Sequence, residues 1–301
     1  MNVTVTGATG LIGTRLVRTL RDRGDAVTVL SRSPDRARES LGVDAVGWDP
    51  IGEPAPAGAL AARDAVLHLA GEPVAQRWTD QSRRSIRESR ETGTRNLVAG
   101  LRSLDADRPG TLVCSSAVGY YGGHGDELVP ESTPPGDDFL AGVCVAWERE
   151  ADAAAELGVR VVKIRTGVVL DKTGGALKTM LPPFRLGIGG PVAGGRQFMP
   201  WIHVDDLVAM YLRALDDPGW SGAYNGTAPD PVTNKAFSEA LGRALHRPAV
   251  APVPALALRL RYGDMAEIVI AGQRAVPQRA LEAGFAFQHP DLDEALASAL
   301  R

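Results

Sequence analysis

Cysteine is nearly absent from this chain of 301 residues, where only Cys114 and Cys144 occur. Two thiols are too few for a disulfide framework or a thiolate metal site, and they fit a reducing compartment. A surplus of positive charge is missing as well, since 33 Lys and Arg stand against 36 Asp and Glu, for a net charge of -3. Without a long-range positive field nothing gathers nucleic acid or an anionic membrane surface, so neither is expected as a partner. The longest apolar runs are strand-sized, and the start Met1-Asn2-Val3-Thr4-Val5-Thr6 has no basic stretch followed by an apolar one. A soluble, cytoplasmic protein is therefore expected, with no signal peptide and no membrane span. Histidine is sparse: His68, His124, His203, His246 and His289 are scattered without metal-ligand spacing, and no metal site is expected.

What is present is alternation. Short β-branched runs at Val3 to Thr6, Ala26 to Leu30, Ala45 to Trp48, Ala65 to Leu69, Thr111 to Ser115 and Val159 to Ile164 read as six strands. Between them, Leu11 to Arg23, Thr79 to Ser103 and Leu140 to Leu157 carry apolar residues at helical spacing with a charged opposite face. This order predicts an α/β fold with helices covering a parallel sheet. After Thr166 glycine and proline become frequent, from Gly174 to Gly195, which predicts a smaller lobe. Trp201 to Val208 resumes order and runs into a helix reaching about Leu215; Thr233 to Leu245 and Leu292 to Leu300 read as two more helices. The expected division is residues 1–170 as a cofactor domain, with 200–228 returning to it, and 171–199 with 229–301 as the substrate lobe.

Thr6-Gly7-Ala8-Thr9-Gly10-Leu11-Ile12-Gly13 follows the first strand and opens the first helix. In that context Gly7 makes the tight turn, Gly10 admits a pyrophosphate to the backbone, Gly13 packs helix against strand, and free N–H groups face the phosphates. The second strand ends at Ser31-Arg32, where a site for NAD would carry an acidic residue. A hydroxyl and a guanidinium suit a 2′-phosphate, so NADP(H) is the expected cofactor. The small residues of Leu69-Ala70-Gly71 let the backbone pass under the ribose and phosphates. Asp49 is placed either to accept from the adenine amino group or to cap the turn before Pro50.

With those residues in place, the chain resembles the short-chain dehydrogenase/reductase superfamily in its extended form, the NAD(P)-dependent epimerase/dehydratase group. The residues that carry the likeness are the glycine motif, Leu69-Ala70-Gly71, Ser115-Ser116-Ala117 and Tyr121-Gly122. Gly71-Glu72-Pro73-Val74, Arg77-Trp78, Ser89-Arg90, Arg165-Thr166-Gly167-Val168-Val169-Leu170, Gln197-Phe198-Met199-Pro200-Trp201-Ile202-His203 and a C-terminal segment from Arg247 to Leu292 narrow it further. They look like an atypical subgroup similar to sugar-nucleotide epimerases, with bacterial and plastid members. The resemblance implies a Rossmann-type doubly wound sheet with a C-terminal substrate lobe. It also implies cofactor contacts from Gly7, Thr9, Gly10, Leu11, Ile12, Gly13, Ser31, Arg32, Leu69, Ala70, Gly71, Arg90, Arg165 and Val169.

The superfamily's chemistry uses a Tyr whose phenolate is stabilised by a Lys four residues on, because a phenol of pKa about 10 is a poor base near pH 7. Ser116 matches the serine that holds the substrate oxygen, and Glu148 matches the glutamate that follows the pair. Counting back, Leu140 stands at the Tyr position and Cys144 at the Lys position, and no other Tyr-x-x-x-Lys occurs. Tyr120 and Tyr121 follow Ser116 on a glycine-flanked loop, and Tyr121 is the expected stand-in as proton donor. Arg77, Trp78, Tyr120, Gln197 and Trp201 are the expected substrate contacts, with Arg for an anionic group and Trp for a flat or sugar ring. Two readings follow: an NADP(H)-dependent oxidoreductase or epimerase for a small carbonyl or sugar-nucleotide-like substrate, and a cofactor-binding sensor or scaffold without turnover. Beyond the small molecule, a protein partner or a second copy of the chain completes the expected partners.

Overall fold

The computed structural model describes all 301 residues. Seven strands form one parallel sheet in the order Gly222–Gly226, Arg160–Thr166, Thr111–Ala117, Ala65–His68, Asn2–Thr6, Ala26–Ser31, Asp44–Gly47. The chain order reverses between Asn2–Thr6 and Ala65–His68, so a crevice opens beyond their C-terminal ends, where ligands of doubly wound sheets bind. The helices Leu11–Asp22 and Val204–Asp216 bury their apolar stripes on one face. Asp80–Arg102 and Phe139–Asp152 cover the other. Thr79 starts the longer of these with a reciprocal capping box to Ser82, which satisfies two amide donors that the first turn leaves free. A third apolar cluster joins Gly175–Arg185, Asn234–Leu245 and Leu292–Ala299. No helix is long and apolar enough to cross a membrane.

The Gly- and Pro-rich stretch holds more regular structure than its composition suggests. Gly175–Arg185 is a helix with Pro182 and Pro183 inside it. The prolines remove two amide donors, yet Leu177, Leu181 and Phe184 recur at helical spacing and are buried, and that burial outweighs the loss.

Candidate cofactor and substrate cleft

The glycine turn packs as its spacing demands. Gly7 has φ +67°, and a Cβ there would lie 2.6 Å from the Leu69 backbone; a Cβ at Gly13 would lie 2.3 Å from the Gly7 carbonyl oxygen. Only glycine allows either approach. Gly10 is the N-cap of Leu11–Asp22 and offers no side-chain acceptor, so the first amides of that helix remain free. They face a cavity of about 380 Å³ bordered by Gly7, Gly10, Leu11, Ile12, Gly13, Leu69, Ser115 and Val169. A second helix start meets it there: Gly175 and Ala176 line the same cavity, and Gly174 caps that helix with no side-chain bond. Two uncapped positive helix ends on one cavity make an anion cradle, and the pyrophosphate of a dinucleotide fits that electrostatics. Sequence reading missed the second end; the Gly174-Gly175 pair was its one signal.

The rim of the cavity is braced from below. Thr6 Oγ1 accepts the Ala70 amide at 3.2 Å and shares a 2.7 Å hydrogen bond with His68 Nδ1, while Thr94 Oγ1 lies 3.0 Å from His68 Nε2. Burial lowers the pKa of His68 to about 4, so the ring is neutral near pH 7. Thr9 is exposed at the top of the glycine turn. Beyond the second strand, Ser31 Oγ accepts the Ser33 amide at 3.1 Å, and Arg32 projects from the surface with no bond to the chain. Asp49 is exposed and its Oδ1 accepts the Ile51 amide at 3.2 Å, so it does cap a turn. Arg90 reaches back over the strand end, where its Nη1 donates to the Glu72 carbonyl at 2.9 Å and its Cζ would lie 3.2 Å from a Cβ on Gly71. It also sits 5.0 Å above the Trp147 ring and beside Cys144, which occupies the vacant lysine position. Burial pushes the Cys144 thiol up to about 12, so it stays protonated.

Several expected site residues are placed elsewhere. Ser116 is 3% exposed and its Oγ donates to Glu148 Oε1 at 2.7 Å, away from the cavity. Alternation along the strand sends Ser115 to the cavity side instead, where its Oγ lies 2.6 Å from Tyr211 Oη. Arg165 is also turned inward rather than to the cavity. Its Nε and Nη2 fork onto Glu148 at 2.8 and 2.9 Å, and its Nη1 donates to Tyr121 Oη at 2.9 Å. Burial opposes its charge, but the Glu148 and Tyr121 bonds outweigh burial and hold its pKa above the ordinary value. Tyr121 is fully buried, and its Oη donates to Asn225 Oδ1 at 2.6 Å. Burial pushes that phenol up to about 12 despite Arg165, so neither access nor acidity suits it to donate a proton to a substrate. Trp201 is 1% exposed, with its Nε1 donating to the Asp230 carbonyl at 3.1 Å, and belongs to the apolar cluster that joins Gly175–Arg185, Asn234–Leu245 and Leu292–Ala299.

The other expected contacts keep some surface. Tyr120 is partly exposed, its hydroxyl bonds to nothing in the chain, and its ring lies over Arg165 with Cζ 3.5 Å from the centroid. Trp78 packs edge-on to Phe139 at 5.0 Å and donates to the Val74 carbonyl at 3.1 Å. Arg77 Nη1 donates to the Leu260 carbonyl at 3.3 Å. Gln197 Nε2 ties Val192 to Val269 through their carbonyls at 3.0 and 3.1 Å, which spends its amide donors within the chain. The fold also gathers one donor atom each from His203, Asp205 and His289 within 4.8 Å. His203 Nδ1 already accepts the Asp205 amide at 3.2 Å, and Arg15 holds Asp205 Oδ1 at 3.3 Å. A cation there would face amide hydrogens at a helix start and a guanidinium, an arrangement that disfavours it.

Comparison with known proteins agrees with this fold. The NAD dependent epimerase/dehydratase family matches residues 3–225, and a domain of unknown function matches residues 253–299. A chloroplastic epimerase family protein, the SDR39U1 homolog of Arabidopsis thaliana, is 41% identical over 100% of this chain and 87% of its own. The epimerase family protein YfhF of Bacillus subtilis is 37% identical over 99% of this chain and 97% of its own. The crystal structure of human epimerase family protein SDR39U1 with NADPH superposes with a TM-score of 0.89 at 35% identity, covering 100% of both chains. Extent and identity together leave one conclusion: this chain belongs to the NAD dependent epimerase/dehydratase family.

Proposed function

We propose that the chain is an NADP(H)-dependent oxidoreductase or epimerase that acts on a small carbonyl or sugar-nucleotide-like substrate. The observation that carries this reading is the cavity with two uncapped helix starts, next to Ser31 and Arg32 where a carboxylate would repel a 2′-phosphate. The NADPH in the human relative's structure supports it. Gly7 to Gly13, Gly175 and Ala176 would hold the pyrophosphate, Ser31 and Arg32 the 2′-phosphate, and Leu69 to Gly71 with Arg90 the inner end. Bound there, the nicotinamide supplies hydride exchange at a substrate carbon.

Proton transfer then falls to Tyr120, the tyrosine of the pair whose hydroxyl is free, with the buried Arg165 cation beneath its ring. Arg90, beside Cys144, provides positive charge near the position of the missing lysine. Residues 171–199 and 229–301 form the substrate lobe, with Arg77 and Trp78 at the mouth. A cofactor-bound sensor remains the second reading, favoured by the burial of Ser116 and Tyr121 in a closed network. Titration with NADPH, NADP+, NADH and NAD+, followed by mixing the NADPH complex with carbonyl and nucleotide-sugar panels, separates the two. Substrate-dependent oxidation that Tyr120→Phe slows about 100-fold or more at unchanged NADPH affinity supports the enzyme. Turnover untouched by Tyr120→Phe sinks that role, and an Arg32→Asp variant that still prefers NADPH sinks the cofactor assignment.

A further inference from the structure

The second helix start on the cavity is set in a backbone with little stiffness of its own. A Cβ on Gly174 would crowd Leu11, at 3.0 Å from its Cδ1, and Gly175 has φ +62°. The glycine pair therefore permits the close approach of this turn to the first helix. The same pair leaves the backbone free to take many conformations, so it does not by itself fix where the free amides of Gly175–Arg185 point.

That direction is fixed from Asp171, which is 1% exposed. Its Oδ1 accepts the Thr173 amide at 2.7 Å and the Thr173 hydroxyl at 2.6 Å, and its carbonyl accepts the Gly174 amide at 3.4 Å. These bonds shape the turn immediately before the cap. Oδ2 is gripped by Arg15, with Nε at 2.8 Å and Nη2 at 2.6 Å. Arg15 belongs to Leu11–Asp22, the helix whose own start forms the other half of the cradle. Leu11 and Arg15 are four residues apart and share one face of that helix. The face meets the second start twice, through Leu11 at the glycine pair and through Arg15 at Asp171. Burial opposes the charge of Asp171, but the bonds from Thr173 and Arg15 outweigh it and hold the carboxyl below its usual range, so the ion pair stands at neutral pH.

We propose that Asp171, gripped by Arg15, is the positioning residue of the phosphate cradle: it sets the start of Gly175–Arg185 against the start of Leu11–Asp22 so that both groups of free amides converge on the pyrophosphate. The proposal rests on the cofactor reading above. Charge alone would not place a carboxylate here, since an anion close to a phosphate site weakens binding. The contribution of Asp171 is geometric, and this gives the test a sign.

Fluorescence titration of the full chain with NADPH, and displacement of NADPH by adenosine 2′-monophosphate, separate geometry from charge and from general loosening. The monophosphate offers a 2′-phosphate to Ser31 and Arg32 but has no pyrophosphate. Asp171→Asn removes a negative charge, so by charge alone NADPH would bind more tightly. The expected result is the opposite, a loss of about tenfold or more for NADPH with the affinity for adenosine 2′-monophosphate unchanged. Arg15→Lys keeps the cation but loses the planar fork, should weaken NADPH in the same direction, and carries the test if Asp171→Asn does not fold. NADPH bound as tightly or more tightly by Asp171→Asn, or by Arg15→Lys where it alone folds, overturns the proposal. So does an equal loss for both ligands, which a merely structural aspartate would produce. Failure of the wild-type chain to take up NADPH would instead overturn the cofactor reading itself.

Discussion

Glu148→Leu offers the sharpest check on the buried network behind the cleft. Glu148 is 6% exposed and accepts from Ser116 Oγ at 2.7 Å and from Arg165 Nε and Nη2 at 2.8 and 2.9 Å. Arg165 is itself 4% exposed, so the substitution strands a buried cation whose remaining partners are a phenol oxygen and the Glu131 carbonyl. Breaking such a pair from one side costs about 3–5 kcal/mol, a large share of the roughly 5–15 kcal/mol that holds a domain folded. With an unfolding entropy of about 2.1 cal/mol/K per residue, 301 residues give about 0.6 kcal/mol per degree, so the melting temperature should fall by roughly 5–8 °C. Glu148→Leu with Arg165→Met removes both charges together and should recover most of that loss, since apolar side chains of similar size fill the space without a desolvation penalty. Thermal and urea unfolding of the four proteins in the cycle measure this. A single variant that loses less than about 1 kcal/mol, or a double variant that simply adds the two single losses, refutes the view of Ser116, Glu148 and Arg165 as one closed ionic unit.

Two further outcomes follow from the same structure. His68 titrates near 4 when folded against about 6.5 when unfolded, so the unfolded chain binds the extra proton between these values and stability falls as pH drops through that window. The loss should total about 3 kcal/mol by pH 4, and a His68→Asn variant should show a flatter urea midpoint over pH 4–6.5 if this ring is responsible. Ala176→Asp places a carboxylate at the second helix start on the cavity, where it favours the helix dipole but repels phosphate. The melting temperature of the free protein should hold or rise while NADPH binding weakens about tenfold or more, and equal NADPH affinity would remove Gly175 and Ala176 from the cradle.

The glycine turn was legible because its evidence is local. A strand, three spaced glycines and a helix start within thirteen residues constrain backbone geometry whatever the rest of the chain does. The strand Thr111–Ala117 was legible as a strand but not in its facing. Its residues Thr111 to Cys114 and Ser116 are all buried, so no polar and apolar alternation marks which serine looks into the cavity, and it is Ser115 that lines it. Gly175–Arg185 was hidden for the opposite reason. Its glycines and prolines oppose a helix locally, and only burial against Asn234–Leu245 and Leu292–Ala299 stabilises it.

Sequence by itself determined the class of fold and the nucleotide cradle, because periodicity of burial and the steric freedom of glycine act between near neighbours. Tertiary structure alone decided which polar side chains are available for chemistry. Ser116, Tyr121 and Arg165 satisfy one another and Glu148 across four elements, whereas Tyr120 is left with an unspent hydroxyl. Whether a hydroxyl or guanidinium is spent or free depends on partners far along the chain. That is a property of packing, which no local pattern encodes.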